Sequence, residues 1–375
     1  MEVELRNICC ICESSNLQSF FEILKFPIFM GTTKTPQAED VFQDQKWFLC
    51  ADCGCLQLSE LIPLQILYSK QHSSGAVGQI WKNHHEMFAS FILVDSPESI
   101  CEIGAAHCEL AEIILERNPG TKYLIIEPNP GKVSKKIKLI SGFIEDNLNE
   151  IADYQTLVHS HVLEHIYNPR LFISNIVKSM IDNCAMYISF PNIVSLIDTR
   201  GTNSLNFEHT YFLHPDQLKS LLRIYGLKVV REERYLGHSY FFKVIRHHDL
   251  IANSKILNIT HTADSFKKMW QELELFAHST NLLISKDSIP TFIFGAHVFS
   301  QGLIRLGLDT SYIKGILDNS VDKQGERLYG TNLEVFSFEA IRNLSSVRVI
   351  LKASHYQSEI RNQIISINPS AEIIE

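Results

Sequence analysis

The sequence predicts an α/β protein in which two sheets of parallel strands follow a small cysteine-rich lobe. Short apolar runs alternate with segments of helical spacing between residues 99 and 189, and this alternation favours parallel strands covered by helices on both faces. The same alternation starts again near residue 290. Ahead of both, the first sixty residues contain most of the cysteines, among short apolar runs broken by proline and glycine.

The composition is that of a globular protein rather than a disordered one. The chain has 375 residues, of which 45 % are hydrophobic and 20 % charged, and this length predicts two or three domains. A formal net charge of −8 repels polyphosphate chains and acidic membrane surfaces, so a small molecule is the expected partner rather than nucleic acid or a membrane. Residues 1–6 lack the features of an export signal and no apolar run reaches transmembrane length, which predicts a cytoplasmic location. The oligomeric state stays open.

The domain boundaries follow from these changes in pattern. We expect the cysteine-rich lobe at residues 1–79, a first α/β domain at 80–246, a helical connector at 247–289 and a second α/β domain at 290–375. In the first α/β domain, helices are expected at 80–94 and 109–116, and strands at 99–103, 123–126, 137–140, 156–158 and 186–189. In the second, strands are expected at 291–294, 316–318 and 347–351, and helices at 298–306 and 360–365.

Two Cys-x-x-Cys pairs, Cys9 with Cys12 and Cys50 with Cys53, indicate a metal site in the N-terminal lobe. Each pair presents two thiolates to one tetrahedral ion, and four sulfurs make a closed zinc site with no position left for water. Its expected role is therefore structural, because the lobe is too small to have a secure core of its own.

The ligand set has alternatives. Cys10 and Cys55 stand next to the two pairs, and either of them is able to replace a neighbour. Buried cysteines that act as small hydrophobic residues are the other interpretation. Because no export signal is expected, reduced thiols or metal ligands are favoured over disulfides.

The first strand of the central domain ends in a turn suited to a bound nucleoside. Glu102 lies in that strand, and Gly104 permits the sharp strand-to-helix turn and the close backbone approach that a ligand requires. Glu127 ends the second strand, where an acidic side chain accepts hydrogen bonds from ribose hydroxyls. The chain has no Gly-x-Gly-x-x-Gly run for a pyrophosphate, which disfavours a dinucleotide. The turn resembles the first motif of class I S-adenosylmethionine-dependent methyltransferases, which have a Rossmann-like fold, with Ala106 and Cys108 where that family usually has glycine.

The resemblance implies that S-adenosylmethionine is the cofactor and that the ends of the next strands complete its pocket. Phe143, after the third strand, offers an apolar contact to the adenine. The residues after the fourth strand match the family in content and position, and Glu164 and His165 are expected to fix this loop and line the pocket. The full set of expected cofactor residues is Glu102, Gly104, Ala105, Glu127, Pro128, Gly142, Phe143, Ser160 and His161.

Beyond the cofactor site, the chain resembles the deoxysugar C-methyltransferases, which methylate nucleotide-linked keto-sugars. The resemblance rests on the segment 206–214, the N-terminal cysteines and the C-terminal turns at residues 295–297, 316–319, 323–325 and 329–331. In that family a Glu-His pair serves the chemistry, which implies Glu208 and His209 here. His209 is the expected base that removes a proton next to a ketone to give an enolate, with Glu208 orienting or polarising it.

Further site residues follow from the same resemblance. Asn206 stands where the family often has tyrosine, and Tyr211 is a candidate to compensate for that change. Tyr68 resembles a tyrosine that reaches the active site from the N-terminal lobe. The expected catalytic residues are therefore His209, Glu208, Tyr211 and Tyr68, and the expected substrate contacts are Asn192, Asn206 and His214. Two other functions stay open, namely methyl transfer to a hydroxyl oxygen that His209 deprotonates and a zinc-stabilised interaction module without catalysis.

Overall fold

The computed structural model describes residues 2–69, 78–131, 134–200, 205–247, 255–259 and 261–375. The N-terminal part contains β1 (Glu4–Leu5), β2 (Leu17–Pro27), β3 (Thr32–Thr33), β4 (Phe42–Cys50), β5 (Leu56–Leu58), β6 (Glu60–Leu61) and α1 (Leu64–Leu67). The central part contains α2 (Gln79–Leu93), β7 (Ser99–Ile103), α3 (Glu109–Arg117), β8 (Lys122–Glu127), β9 (Ile137–Ser141), β10 (Thr156–Ser160), α4 (Pro169–Ser179), β11 (Ala185–Pro191), α5 (Ile193–Asp198), β12 (Tyr211–Phe212), α6 (Pro215–Ile224), β13 (Leu227–Tyr235) and β14 (Ser239–Arg246). The C-terminal part contains α7 (His261–Ile284), β15 (Thr291–Phe294), α8 (Val298–Arg305), β16 (Ile313–Leu317), β17 (Arg327–Leu328), β18 (Val335–Phe336), β19 (Val347–Ile350), α9 (Gln357–Ile367) and β20 (Ala371–Ile374).

A seven-stranded sheet forms the centre of the molecule, in the order β13-β14-β11-β10-β7-β8-β9. Strands β7 to β11 are parallel, and the hairpin of β13 and β14 adds two antiparallel strands beside β11. Alternate residues of β8 face opposite sides of the sheet, so Leu124 and Ile126 pack with α4 while Tyr123 and Ile125 pack with α2 and α3. This doubly covered parallel sheet confirms the predicted fold of the central domain.

The N-terminal lobe has a four-stranded antiparallel sheet, and its last strand comes from the central part of the chain. The order is β12-β5-β4-β2, in which Tyr211 pairs with Gln57 and Phe212 pairs with Leu56. The Phe212 ring stacks on Trp47, with ring centroids 4.7 Å apart. The segment that carries the predicted Glu-His pair is thereby fixed against the N-terminal lobe.

The C-terminal part is a second α/β unit with five parallel strands in the order β18-β16-β15-β19-β20. The helix predicted at 360–365 does not close this unit, since α9 is followed by β20 at the edge of the sheet. Strand β17 pairs with β3 of the N-terminal lobe, and the Arg327 guanidinium there makes two hydrogen bonds of 2.7 Å to the Asp40 carboxylate. The N-terminal lobe and the C-terminal unit are therefore in direct contact.

The predicted connector is mainly the long helix α7, and residues 248–254 and 260 of that segment lie outside the described residues. Trp270 of α7 is fully buried and stacks on Phe21 of β2, with centroids 4.1 Å apart. The helix thus shares one apolar core with the N-terminal lobe and with β15 and β16. Within the described part of the chain, no helix has the length and apolar character needed to cross a bilayer.

Candidate active site and metal centre

A cavity of about 740 Å³ lies at the carboxyl ends of the central parallel strands, where α/β sheets bind their ligands. All three parts of the chain contribute to its wall. Leu64 and Tyr68 come from the N-terminal lobe, Gly104 and Glu127 come from the central sheet, and Phe299 comes from the C-terminal unit. The wall includes every expected cofactor residue.

The turn after β7 has an unusual backbone. Gly104 has φ of +73°, and a Cβ added there would lie 2.4 Å from Cγ2 of Val162. Ala106 and Cys108 also have positive φ, +45° and +66°. In L-residues the left-handed conformation costs roughly 1–2 kcal/mol. The backbone therefore keeps a shape that suits glycine at all three positions, although two of them carry side chains.

The Glu127 carboxylate holds this turn from the neighbouring strand. Its Oε2 accepts a hydrogen bond of 3.1 Å from the backbone N–H of Ala106, and its Oε1 accepts one of 2.9 Å from the N–H of Asn129. The Asn129 side chain in turn donates to the backbone oxygen of Tyr68 at 3.0 Å. The carboxylate thus connects the glycine turn to the loop that meets the N-terminal lobe.

Glu102 has a different role from Glu127. It is 2 % exposed, and its Oε2 accepts a 2.7 Å hydrogen bond from the Tyr123 hydroxyl. Burial raises the pKa of Glu102 to about 7, in spite of that hydrogen bond. Glu102 therefore supports the turn from inside the sheet, even though part of it reaches the cavity wall.

The loop after β10 contains a buried histidine and carboxyl pair. His161 has φ of +53°, and its Nδ1 lies 3.1 Å from Oε1 of Glu164. Burial raises the pKa of Glu164 to about 7 and lowers that of His161 to about 3. Tyr211 fixes the same loop from below, because its hydroxyl donates to the backbone oxygen of Leu163.

The structure brings Tyr68, His165, Glu208 and His209 together on one side of the cavity. Nδ1 of His165 lies 3.3 Å from the Tyr68 hydroxyl and 3.6 Å from Oε2 of Glu208. The rings of His165 and His209 meet edge to face, with centroids 4.9 Å apart. Oδ1 of Asn206 accepts hydrogen bonds from the N–H groups of Glu208 and His209, at 2.8 and 2.7 Å, which fixes the backbone of the pair.

Burial sets the protonation states of these side chains. Burial lowers the pKa of His209 to about 3, so its imidazole is neutral at physiological pH and is a weaker base than an exposed histidine. Burial also raises the pKa of Tyr68, and the negative charge of Glu208 adds to the effect. The phenol therefore stays protonated and is able to donate a hydrogen bond to a developing oxyanion.

Two expected site residues do not reach the cavity. Tyr211 is buried under the loop after β10, as described above, and this position does not fit a catalytic role. His214 caps helix α6, because its Nδ1 accepts a hydrogen bond of 3.2 Å from the N–H of Asp216, and this position does not fit a substrate contact. Asn192 does line the cavity, and its side chain also caps α5 through the N–H of Ser195.

The sequence interpretation gave no site role to several aromatic residues of the wall. Trp81, His85 and His238 lie beside the loop after β10, and Tyr356 comes from the C-terminal unit. The one local signal was the spacing of Trp81 and His85 on a helix, since residues four apart share a face. The remaining residues are far apart in the sequence and come together only in the folded chain.

The four expected zinc ligands form a compact group of sulfurs. Sγ of Cys9 lies 3.6 Å from Sγ of Cys53, and Sγ of Cys12 lies 3.5 Å from Sγ of Cys50, with all four within 4.8 Å of one another. A tetrahedral zinc ion with Zn–S bonds of about 2.3 Å places its sulfurs about 3.8 Å apart, so the four thiols fit that ion.

The neighbouring cysteines Cys10 and Cys55 have further contacts, and the Cys55 thiol also interacts with the thiols of Cys9 and Cys10. The Cys10 backbone N–H donates to the side-chain oxygen of Gln57, and the Cys55 thiol lies near the backbone oxygens of Leu56 and Phe212. Neither thiol belongs to the group of four. All nine cysteines are free thiols in the structure.

Comparisons with known proteins find methyltransferases. A family model described as a methyltransferase domain matches residues 78–232, and a search of curated proteins found no match. Among solved structures, the chain is similar to an O-methyltransferase family protein from Burkholderia thailandensis, at 12 % identity over 45 % of this chain and 57 % of that one, with a TM-score of 0.37. It is also similar to human N-acetylserotonin methyltransferase, at 11 % identity over 50 % of this chain and 60 % of that one, with a TM-score of 0.40. Residues 78–232 therefore match a methyltransferase domain, and their parallel-dominated sheet has a Rossmann-like fold.

Proposed function

We propose that the chain transfers the methyl group of S-adenosylmethionine to a carbon of a nucleotide-linked keto-deoxysugar, through an enolate. The observation that carries the proposal is that one cavity contains both a turn suited to adenosine, around Gly104 and Glu127, and a proton-transfer group, formed by Tyr68, Glu208 and His209. Chemistry at a carbon next to a ketone needs both, because the proton must leave before the carbon attacks the methyl group.

The cofactor end of the cavity is supported by the turn after β7. The backbone at Gly104 has no side chain to block a ligand, and the Glu127 carboxylate has acceptor positions left for ribose hydroxyls. The Phe143 ring offers an apolar contact to the adenine. When bound, S-adenosylmethionine supplies a methyl group on a positively charged sulfur.

The residues at the other end perform the proton transfer. His209 accepts the proton from the carbon next to the ketone, since its ring is neutral at physiological pH. The Tyr68 hydroxyl donates a hydrogen bond to the oxygen on which negative charge develops. Glu208 faces His165, and its carboxylate stabilises the positive charge that forms when the His209 or His165 ring is protonated.

The C-terminal unit provides a surface for the nucleotide part of the substrate. His297 and Phe299 of this unit line the cavity next to the turn at Gly295, which has φ of +97° and open space where a Cβ would lie. Oδ2 of Asp318 accepts a 2.7 Å hydrogen bond from the N–H of Ala296, just as Glu127 does from Ala106. Turns of this kind at strand ends suit nucleotides, which supports a nucleotide-linked substrate.

We also propose that Cys9, Cys12, Cys50 and Cys53 bind one structural zinc ion. Three of these side chains are almost completely buried, and the sulfur spacing matches a tetrahedral site. A closed site of this kind stabilises the lobe that supplies Tyr68, and it takes no part in methyl transfer.

The direct test is incubation of the protein with S-adenosylmethionine labelled in the methyl group and a panel of nucleotide keto-sugars. Carbon NMR of the product then distinguishes a new carbon-linked methyl group from an O-methyl group. A carbon-linked methyl group supports the proposal. An O-methyl product instead establishes O-methylation, with His209 deprotonating an alcohol. If calorimetry detects no binding of S-adenosylmethionine, the interaction module without catalysis is the better interpretation.

A second experiment isolates the base. In deuterated water without S-adenosylmethionine, the wild-type protein is expected to exchange the hydrogen next to the substrate ketone. His209→Asn is expected to lose this exchange and methyl transfer while it still binds the cofactor, and Glu208→Gln is expected to slow both. His214→Asn is the matched control, because His214 lies outside the cavity and asparagine also caps a helix. Full turnover by His209→Asn would refute the assignment of the base.

A further inference from the structure

Three histidines from separate elements meet beside the cavity. His84 lies on α2, His161 follows β10, and His238 lies in the turn between β13 and β14. Their ring centroids form a nearly equilateral triangle, with sides of 5.3, 5.3 and 5.4 Å. One nitrogen of each ring lies within 4.8 Å of the corresponding nitrogens of the other two.

Hydroxyl groups of the central sheet hold the three rings in this arrangement. Nε2 of His84 lies 2.8 Å from Oγ of Ser189. Nε2 of His161 and Nδ1 of His238 lie 2.8 and 2.6 Å from Oγ of Ser239. The rings are therefore fixed by neighbouring groups rather than free to turn, which is a requirement for a preformed ligand set.

His161 has the further partner that metal-binding histidines commonly have. Its Nδ1 lies 3.1 Å from the Glu164 carboxyl, and its Nε2, 2.8 Å from Oγ of Ser239, is the nitrogen that would coordinate an ion in place of that hydroxyl. In metal sites the second ring nitrogen usually donates to a carboxylate or a carbonyl, which sets the tautomer and the direction of the ligating nitrogen. The His161–Glu164 pair fits this pattern.

His84 gives an independent indication of a missing ligand. The residue is fully buried, and its Nδ1 has no hydrogen-bond partner among the described residues. A buried polar atom without a partner destabilises the fold, and a bound ion or water molecule is a common explanation.

We propose that His84, His161 and His238 bind one zinc ion, at a site separate from the four cysteines. Three imidazoles are a ligand set that suits zinc, and they leave a fourth position open. His161 and His238 line the cavity together with Trp81, so this open position faces the bound small molecules and accepts an oxygen atom from water or from a ligand. The proposal is independent of which atom of the substrate is methylated.

The test is a titration of the purified protein, with its cysteine site filled by zinc, with Co²⁺ as a spectroscopic probe. One further equivalent of Co²⁺ is expected to bind and to give visible ligand-field bands without a thiolate-to-cobalt charge-transfer band, because only nitrogen and oxygen would coordinate it. Emission spectrometry on protein grown in zinc is expected to find two zinc ions per chain. If the wild-type protein binds no metal beyond the cysteine-bound ion, the proposal is wrong, whatever the variants do.

Variants then locate the ion. His238→Asn and His161→Asn are expected to weaken Co²⁺ binding at least about tenfold. His278→Asn, at an exposed position of α7, is the matched control and is expected to bind like wild type. His209→Asn is likewise expected to keep the ion, since His209 belongs to the other histidine group of the cavity. Unchanged binding in both His161→Asn and His238→Asn, with normal circular dichroism, would refute this location.

Discussion

Gly104→Ala is the substitution that most directly tests the turn on which the proposed cofactor site depends. A Cβ at this position would lie 2.4 Å from Cγ2 of Val162 and would force the left-handed conformation on a residue with a side chain. The conformation costs roughly 1–2 kcal/mol and the overlap adds about 1–3 kcal/mol. We therefore expect Gly104→Ala to lower the free energy of unfolding by about 2–5 kcal/mol.

The two contributions are separable in a double-mutant cycle. Val162→Ala removes both Cγ atoms and leaves a Cβ 3.6 Å from the new methyl group, which is an ordinary contact. In that background, Gly104→Ala is expected to cost only the conformational part, about 1–2 kcal/mol. Gly120→Ala is the control, because Gly120 has no atom within 4 Å of an added Cβ and no positive φ.

Urea unfolding followed by circular dichroism measures the stabilities, and calorimetry measures the affinity for S-adenosylmethionine. Gly120→Ala is expected to be neutral or to stabilise by up to about 1 kcal/mol. Gly104→Ala is expected to weaken S-adenosylmethionine binding about tenfold or more, because the new side chain disturbs the turn that the cofactor approaches. A tenfold loss corresponds to about 1.4 kcal/mol of binding free energy. The reasoning fails if Gly104→Ala unfolds at the wild-type urea concentration and binds the cofactor normally.

Three other predictions concern the proposed zinc site, the contact between the N-terminal lobe and the C-terminal unit, and the dependence of stability on pH. Cys50→Ser is expected to lower the zinc content by one ion per chain, whereas Cys55→Ser, outside the group of four, is expected to keep it; equal zinc content by emission spectrometry would contradict the assignment. Asp40→Asn is expected to destabilise the protein by about 3 kcal/mol, because it breaks a buried ion pair with Arg327. Glu339→Gln, in an exposed ion pair with Arg342, is the control and is expected to leave the urea midpoint unchanged. Equal urea midpoints of the two variants would contradict this prediction. Burial lowers the pKa of His159 to about 4 and the pKa values of His161 and His209 to about 3. Below pH 6.5 the unfolded chain therefore binds more protons than the folded chain. The free energy of unfolding is expected to fall between pH 6.5 and 4, by up to about 1.4 kcal/mol per pH unit for each histidine. Glu102 and Glu164, with pKa values raised to about 7, increase the free energy of unfolding as the pH falls from 7 to 4.5. The three histidines outnumber these two carboxyl groups, so the net effect of acidification is a loss of stability. Equal urea midpoints at pH 7 and pH 5 would refute this expectation.

The features that the sequence predicted well depend on neighbouring residues. The strand at Ser99–Ile103 has the same bounds in the structure as in the prediction, and the glycine turn follows it directly. The two cysteine pairs form compact knuckles for the same reason, because three residues of spacing set the distance between their sulfurs. Local pattern was enough to place these features.

The features that were missed depend on contacts between distant segments. Strand β13 contains five charged residues, as edge strands often do, and its pattern did not indicate a strand. The histidine triangle joins residues 84, 161 and 238, and no local pattern connects them. Strand β12 is only two residues long and pairs with β5, which lies about 150 residues earlier, so its pairing could not be predicted from spacing.

The short strand β12 also explains why Tyr211 does not compensate for Asn206. Pairing with Gln57 fixes Tyr211 under the loop after β10, where its hydroxyl donates to the backbone of Leu163. The Asn206 side-chain oxygen accepts hydrogen bonds from the backbone N–H groups of Glu208 and His209. A tyrosine hydroxyl, at the end of a rigid ring, does not reach these two N–H groups. Asn206 therefore tightens the backbone at the proposed catalytic pair, and Tyr68 is the phenol that lies beside His165.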